Sequence, residues 1–180
     1  MAFAFLPDQS EDAYSWALAQ LRDIFNSNSI PPPGVISTDC DQGLRNALLL
    51  TFPGSMAVLC LWHANKNIQE HCKRQFTTTE AYNDFFQAWL GIVRSSNQTE
   101  YNERLLQFQT QYAELPEHAQ CVQYIQSTWL RPGRAESLVQ AWTNSYTHFG
   151  VTVTSRLVIL IIILTFILIL YTVLNQLTQY

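Results

Sequence analysis

Apolar and polar positions in the first seventy-six residues follow two periods in turn. Ala2 to Leu6 is a short apolar run with two Phe residues, cut off by Pro7, and it predicts a strand. Asp8 or Ser10 then caps a helix, with Glu11 and Asp12 placed to suit its positive end. Tyr14, Ala17, Leu18, Leu21 and Phe25 form the buried stripe of that helix. A loop from Asn26 ends in Pro31-Pro32-Pro33-Gly34. The β-branched Val35 and Ile36 behind this stop predict a second strand, and Asp39 lies just past its C-terminal end. Strand, helix, strand suits a parallel crossover. Asp39 or Asp41 is placed to cap the next helix, whose Leu44, Ala47 and Leu48 fall at i, i+3 and i+4 and which Pro53 closes. Ser55 to Leu61 predicts a further strand.

From Thr77 onward the period is helical. Thr77-x-x-Glu80 has the form of a capping box. Tyr82, Phe85, Phe86, Trp89, Leu90 and Val93 repeat at helical spacing, and Tyr101, Leu105, Phe108 and Tyr112 make a second stripe. Pro116 opens a third helix with Val122, Ile125 and Trp129 inward, and Leu138, Ala141, Trp142 and Tyr146 predict a fourth. At this spacing the aromatics read as core rather than as platforms for bases. Leu157 to Leu174 carries no charge, and as a helix it would span about 27 Å, close to the hydrocarbon thickness of a bilayer. Three readings stand: a membrane anchor flanked by Arg156, translated non-coding or shifted-frame sequence, or a buried element of the domain.

Charge narrows the function classes. The net charge is −4, from 10 basic and 14 acidic side chains, which is not the footprint of an autonomous DNA-binding protein. One local exception gathers Arg45, Lys66, Lys73 and Arg74, with Glu70 as the acid among them. Four scattered cysteines do not make a disulfide framework, so a reducing compartment is expected. The N-terminus has no basic region, and a secretion signal is not expected. Cys60, His63, His71 and Cys72 invite a zinc reading. Adjacent His71 and Cys72 would point about 100° apart on a helix, so zinc is not expected. Cys60 and His63 read instead as structural or DNA-contact residues.

Thr38-Asp39, Ala47, Phe52-Pro53, Cys60-Leu61-Trp62-His63 and Asn67, in that order and spacing, resemble the Mutator-like (MULE) transposase domain. The resemblance implies an RNase H-like fold in which Asp39 is the second acid of a DDE triad. It implies Mg²⁺ or Mn²⁺ as cofactor, here held weakly by Asp39. Cys60 and His63 match a Cys-x-x-His motif shared among such transposases, with Asn67, Arg45 and Lys66 as neighbouring DNA-contact or structural candidates. The family's first Asp is expected upstream of Met1. His148-Phe149-Gly150 and Thr154-Ser155-Arg156 resemble the lead-in to its last motif, yet no acid follows from Leu157 to Tyr180.

The expected architecture is α/β. A partial RNase H-like sheet lacking its first strands occupies 1–76, an all-α insertion 77–149, and a hydrophobic tail 150–180, with 157–174 as a transmembrane candidate. The expected function is that of a truncated, inactive remnant of a DNA transposase. The alternative is a partner-binding module or a tail-anchored membrane protein derived from one. DNA with terminal inverted repeats, a full-length transposase or a second copy, and a membrane are the expected partners. The family implies the nucleus, and insertion of 157–174 would imply a membrane.

Overall fold

The computed structural model describes residues 5–146. The predicted tail at 150–180 lies outside them, as do His148 to Arg156 and the first part of the predicted strand at Ala2 to Leu6. Phe5 and Leu6 are not in a strand. Among the described residues no helix is long and apolar enough to cross a membrane.

The chain begins with helix α1 (Glu11–Ser27), capped by the Ser10 hydroxyl, which accepts from the Ala13 amide. Strand β1 (Val35–Thr38), helix α2 (Gln42–Thr51) and strand β2 (Met56–Leu59) follow. The strands pair in parallel, with Val35 opposite Met56 and Thr38 opposite Leu59. A parallel pair requires a crossover, and α2 supplies it. The result is a mixed α/β architecture, mostly helical, around a two-stranded sheet.

Helix α1 packs on α2. Asn46 of α2 donates to the Glu11 carboxylate at 2.8 Å, and Phe25 meets Phe52 with ring centres 6.2 Å apart. The two helices come closest at Gly43, where an added Cβ would stand 3.1 Å from the Glu11 backbone nitrogen. Glycine is the residue that permits this approach.

Helix α3 (Leu61–Cys72) leaves β2 directly and turns Ala64, Ile68 and Cys72 inward, one helical face at steps of four. A 3-10 turn (Lys73–Gln75) ends it. Three long helices follow: α4 (Thr79–Val93), α5 (Gln98–Tyr112) and α6 (Pro116–Thr128). Together with Leu59 they enclose the core, in which Phe85, Trp89, Ile92, Ile125 and Val139 are almost wholly buried. The Trp89 indole donates to Asn65 at 2.9 Å, tying α4 to α3.

Two expectations change at this level. The cap of α4 is Thr78, not Thr77: its extended backbone precedes the first helical residue, and its hydroxyl accepts from the Ala81 amide. The predicted fourth helix is reduced to the four residues of α7 (Gln140–Thr143). Ahead of it the chain runs through a series of tight turns that begins at Arg131-Pro132-Gly133-Arg134. Pro132 and a Gly133 at φ 78° occupy the middle of a turn closed by the Arg134 amide on the Arg131 carbonyl, at 3.0 Å. Pro followed by left-handed Gly is the sequence a type II turn requires, and it stops a helix from starting here. Leu138 is still buried, but from a turn.

Candidate functional site

Asp39 is the first residue after β1, and it is exposed. Its position follows from the sheet: apolar β1 ends at buried Thr38, and the chain must then turn back into α2. The two candidate caps have separate tasks. Asp41 caps α2 by accepting from the Leu44 amide at 2.8 Å, while Asp39 accepts from the Asp41 amide at 3.2 Å. Asp39 therefore keeps most of its acceptor capacity facing solvent.

The parallel register brings the second motif to the same end of the sheet. The Cys60 amide donates to the Thr38 carbonyl at 2.7 Å, so the residues following β1 and β2 are neighbours. Cys60 is 1% exposed and stands at the start of α3 without capping it through its side chain. His63, in the first turn of α3, is half-buried and meets Trp62 edge-on with ring centres 4.8 Å apart. Its Nδ1 is out of contact with solvent and has no hydrogen-bond partner.

The remaining predicted residues lie along α3 or across from it. Lys66 is exposed, 5.5 Å from the Trp62 ring centre and 3.8 Å from Glu70. That ion pair is solvent-screened and contributes little. Asn67 serves through its backbone, where its carbonyl accepts from His71 Nδ1 at 3.0 Å. His71 in turn stacks on Tyr124. Cys72 is fully buried at the far end of α3 beside Cys121. Twelve residues of helix separate it from Cys60, about 18 Å at the helical rise, so these two thiols cannot share one ion. Among the described residues no three His, Cys, Asp or Glu side chains are grouped to hold a metal.

Arg45 is half-buried on α2, and its Nη1 is shielded from solvent without a hydrogen-bond partner. Burial pulls its pKa down, and the positive charges of Arg134 and Arg131 add to this, against a smaller opposing effect of Cys40. These two arginines were not among the residues the sequence singled out. They belong to the 131–139 segment, which is fastened to the sheet by the Leu59 amide donating to the Ser137 carbonyl at 2.7 Å. Amides at Met56 and Cys60 point to β1, so that of Leu59 points to the opposite edge of β2, where Ser137 meets it. The available signal was Arg-Pro-Gly-Arg itself, a turn motif with a cation at each end.

The sequence model of the MULE transposase domain matches residues 1–67, a span that contains Asp39, Arg45, Cys60, His63, Lys66 and Asn67. Two curated proteins are similar. One is a protein named PKS-NRPS hybrid synthetase cheA from Chaetomium globosum, 27% identical over 85% of this chain and 4% of the relative. The other is Protein FAR1-RELATED SEQUENCE 5 from Arabidopsis thaliana, 28% identical over 50% of this chain and 13% of the relative. The chain thus spans a small part of the length of either.

Proposed function

We propose that this protein, whose residues 1–67 match the MULE transposase domain, is transposase-derived and engages DNA without cutting it. Its sheet is read as part of an RNase H-like core, with Asp39 in the place of the second catalytic acid. The observation that carries this reading is the exposed Asp39 at the end of β1, hydrogen-bonded through its neighbour Thr38 to the start of the Cys60-x-x-His63 motif.

Strand transfer by such enzymes uses two divalent ions that activate the attacking oxygen and stabilise the leaving one. The donor set around Asp39 does not fit that pair. Asp41 is committed to capping α2, and no third carboxylate, His or Cys joins Asp39 among the described residues. A lone carboxylate leaves Mg²⁺ or Mn²⁺ mostly hydrated and its position undefined. No cleavage step is therefore assigned to this polypeptide. What remains is contact with DNA by the residues around the strand ends, with the nucleus as the place of action.

The direct test is incubation of the purified 180-residue chain with Mg²⁺ or Mn²⁺ and duplexes ending in terminal inverted repeats. Binding without nicking or joining is expected. Metal-dependent nicking that disappears in Asp39→Ala would show that a substitute acid completes the site. A synthetase role has little behind it, since the aligned stretch is 4% of the relative bearing that name.

A second reading is favoured by one feature. Trp16, Ile24, Leu49 and Leu50 of α1 and α2 are all exposed, between 48% and 74%. We read these four side chains, on two helices that pack together, as an association surface. A full-length transposase or a second copy of this chain is the partner that reading proposes. Sedimentation of the wild-type chain against Leu50→Ser tests it, with self-association expected only in the wild type.

A further inference from the structure

Trp62 is a large aromatic side chain left outside the core. Trp89 and Trp129 are 0% and 1% exposed, whereas Trp62, in the first turn of α3, is 44% exposed. Trp16 is exposed too, but it belongs to the apolar surface of α1 and α2. The surroundings of Trp62 are polar. Lys66 Nζ stands 5.5 Å from its ring centre, and His63 meets the ring nearly at a right angle, with ring centres 4.8 Å apart. At about 100° per residue, Trp62, Lys66, Gln69 and Lys73 fall within about 60° of one another, and all four are exposed. They form a ridge about 16 Å long on the side of α3 opposite buried Ala64, Ile68 and Cys72. Lys73 keeps the register, since its backbone is still helical, at φ −55° and ψ −35°.

This pattern selects among partners. An apolar protein surface would cover Trp62 but strip water from Lys66 and Lys73 without replacing it. An acidic peptide would satisfy the lysines and leave the indole idle. A duplex offers phosphates to the lysines, but the faces of its bases are already stacked on one another. A single strand offers both: an unpaired base presents a flat π-face to the indole, and its phosphates follow along the ridge. Lys66 is free to reach them, because its pairing with Glu70 at 3.8 Å joins two exposed side chains. The positive charge is local. From Leu61 to Phe76 there are three cations, Lys66, Lys73 and Arg74, against Glu70 alone, in a chain of net charge −4. The ridge also starts where the strands end. Cys60, just before α3, donates its amide to the Thr38 carbonyl, and Asp39 follows Thr38.

We propose that Trp62, Lys66, Gln69 and Lys73 form a binding ridge for single-stranded DNA, with one unpaired base stacked on Trp62 and the phosphates beyond it held by Lys66 and Lys73. Gln69, between the two lysines, contributes hydrogen bonds that do not depend on charge. The ridge rests on the reading of the chain as a DNA-engaging protein and adds which form of DNA it grips: an unpaired strand, led to the strand ends beside Asp39.

The test is fluorescence anisotropy of a labelled oligothymidylate, and of a labelled duplex of equal length, with the full chain across a salt series. The proteins are the wild type, Trp62→Ala, Trp62→Phe, Lys66→Gln, Lys73→Gln and Trp16→Ala, each checked by thermal melting. The wild type should bind the single strand more tightly than the duplex. Trp62→Ala should weaken single-strand binding roughly tenfold, and Trp62→Phe, which keeps a ring to stack on, should recover most of it. Lys66→Gln and Lys73→Gln should each reduce the salt slope by about 0.7, the value for one phosphate of a single strand. Trp16→Ala should change neither affinity nor slope. A duplex bound as tightly as the single strand, with no effect of Trp62→Ala, would overturn the ridge and leave DNA engagement intact. Binding of neither DNA would overturn that engagement and the ridge with it. Equal losses in Trp62→Ala and Trp62→Phe, with lowered melting temperatures, would make Trp62 a packing residue and overturn the ridge. Polyglutamate bound as tightly as the oligothymidylate would overturn it in favour of acidic peptides.

Discussion

Helices α1 and α4 are of similar length, 17 and 15 residues, and each is capped by a hydroxyl side chain. They have opposite fates. α4 buries Tyr82, Phe85, Trp89, Leu90, Ile92 and Val93, whereas no residue of α1 is buried. The apolar positions of α4 extend around more than one face, so α3, α5 and α6 can enclose it. α1 has one stripe, and only α2 meets it closely. The helical body thus holds the large buried cluster, while α1 is only half-buried and shows surface outward. The two strand ends meet on the seam: Asp39 follows β1 of the layer, and Cys60 and His63 follow β2 of the body.

The comparison breaks or holds first at two tryptophans. Trp89→Ala should cost about 3–5 kcal/mol in denaturant unfolding, as an aromatic lost from a close-packed core. Trp16, 57% exposed, should cost less than about 0.5 kcal/mol on the same change. Comparable losses at both would mean that α1 is as deeply supported as α4. The capping Asp41 comes next. Asp41→Ala removes the acceptor of the Leu44 amide and should lower stability by about 1 kcal/mol. Hydrogen exchange should then speed up in α2 before it does in α5.

The smallest effect concerns pH. The Glu100 carboxyl accepts from the Ser96 amide and hydroxyl at the start of α5, which holds its pKa below the usual carboxylate value, with Arg104 adding to the effect. A folded pKa below the unfolded one gives stability that is present above the unfolded value and is lost as pH falls through the folded one. Glu100→Gln should remove this acid-side loss, seen as melting curves of the variant that fall less steeply below the unfolded pKa.

Much of the layer was legible in the sequence because its signals are local. Three prolines and a glycine stop the chain before Val35, and alternation of apolar runs with a capped helix gave β1, α2 and β2 in order. The neighbourhood of Asp39 and Cys60 followed from parallel pairing of consecutive strands, and the 2.7 Å bond from Cys60 to Thr38 realises it. The choice between Asp39 and Asp41 as cap was not legible, since both residue types cap and only backbone geometry separates them. The electrostatic effect of Arg134 on Arg45 was not legible for another reason. It depends on Leu59 meeting Ser137, 78 residues away, and no periodicity reports a contact of that range. The fourth helix is shorter than the spacing of Leu138, Ala141, Trp142 and Tyr146 suggests, because Leu138 enters the core from a turn and only Gln140–Thr143 is helical.

The account turns on Asp39 having only Asp41, the cap of α2, as a neighbouring carboxylate among the described residues. The most direct measurement is a Mn²⁺ titration of the full chain followed by paramagnetic broadening of amide resonances. Weak binding is predicted, unsaturated below about 1 mM, with broadening centred on Asp39 and Cys40 and abolished in Asp39→Asn. Two ions bound tightly and stoichiometrically at this strand end would contradict the account, because they would require further carboxylates that complete a cleavage site around Asp39.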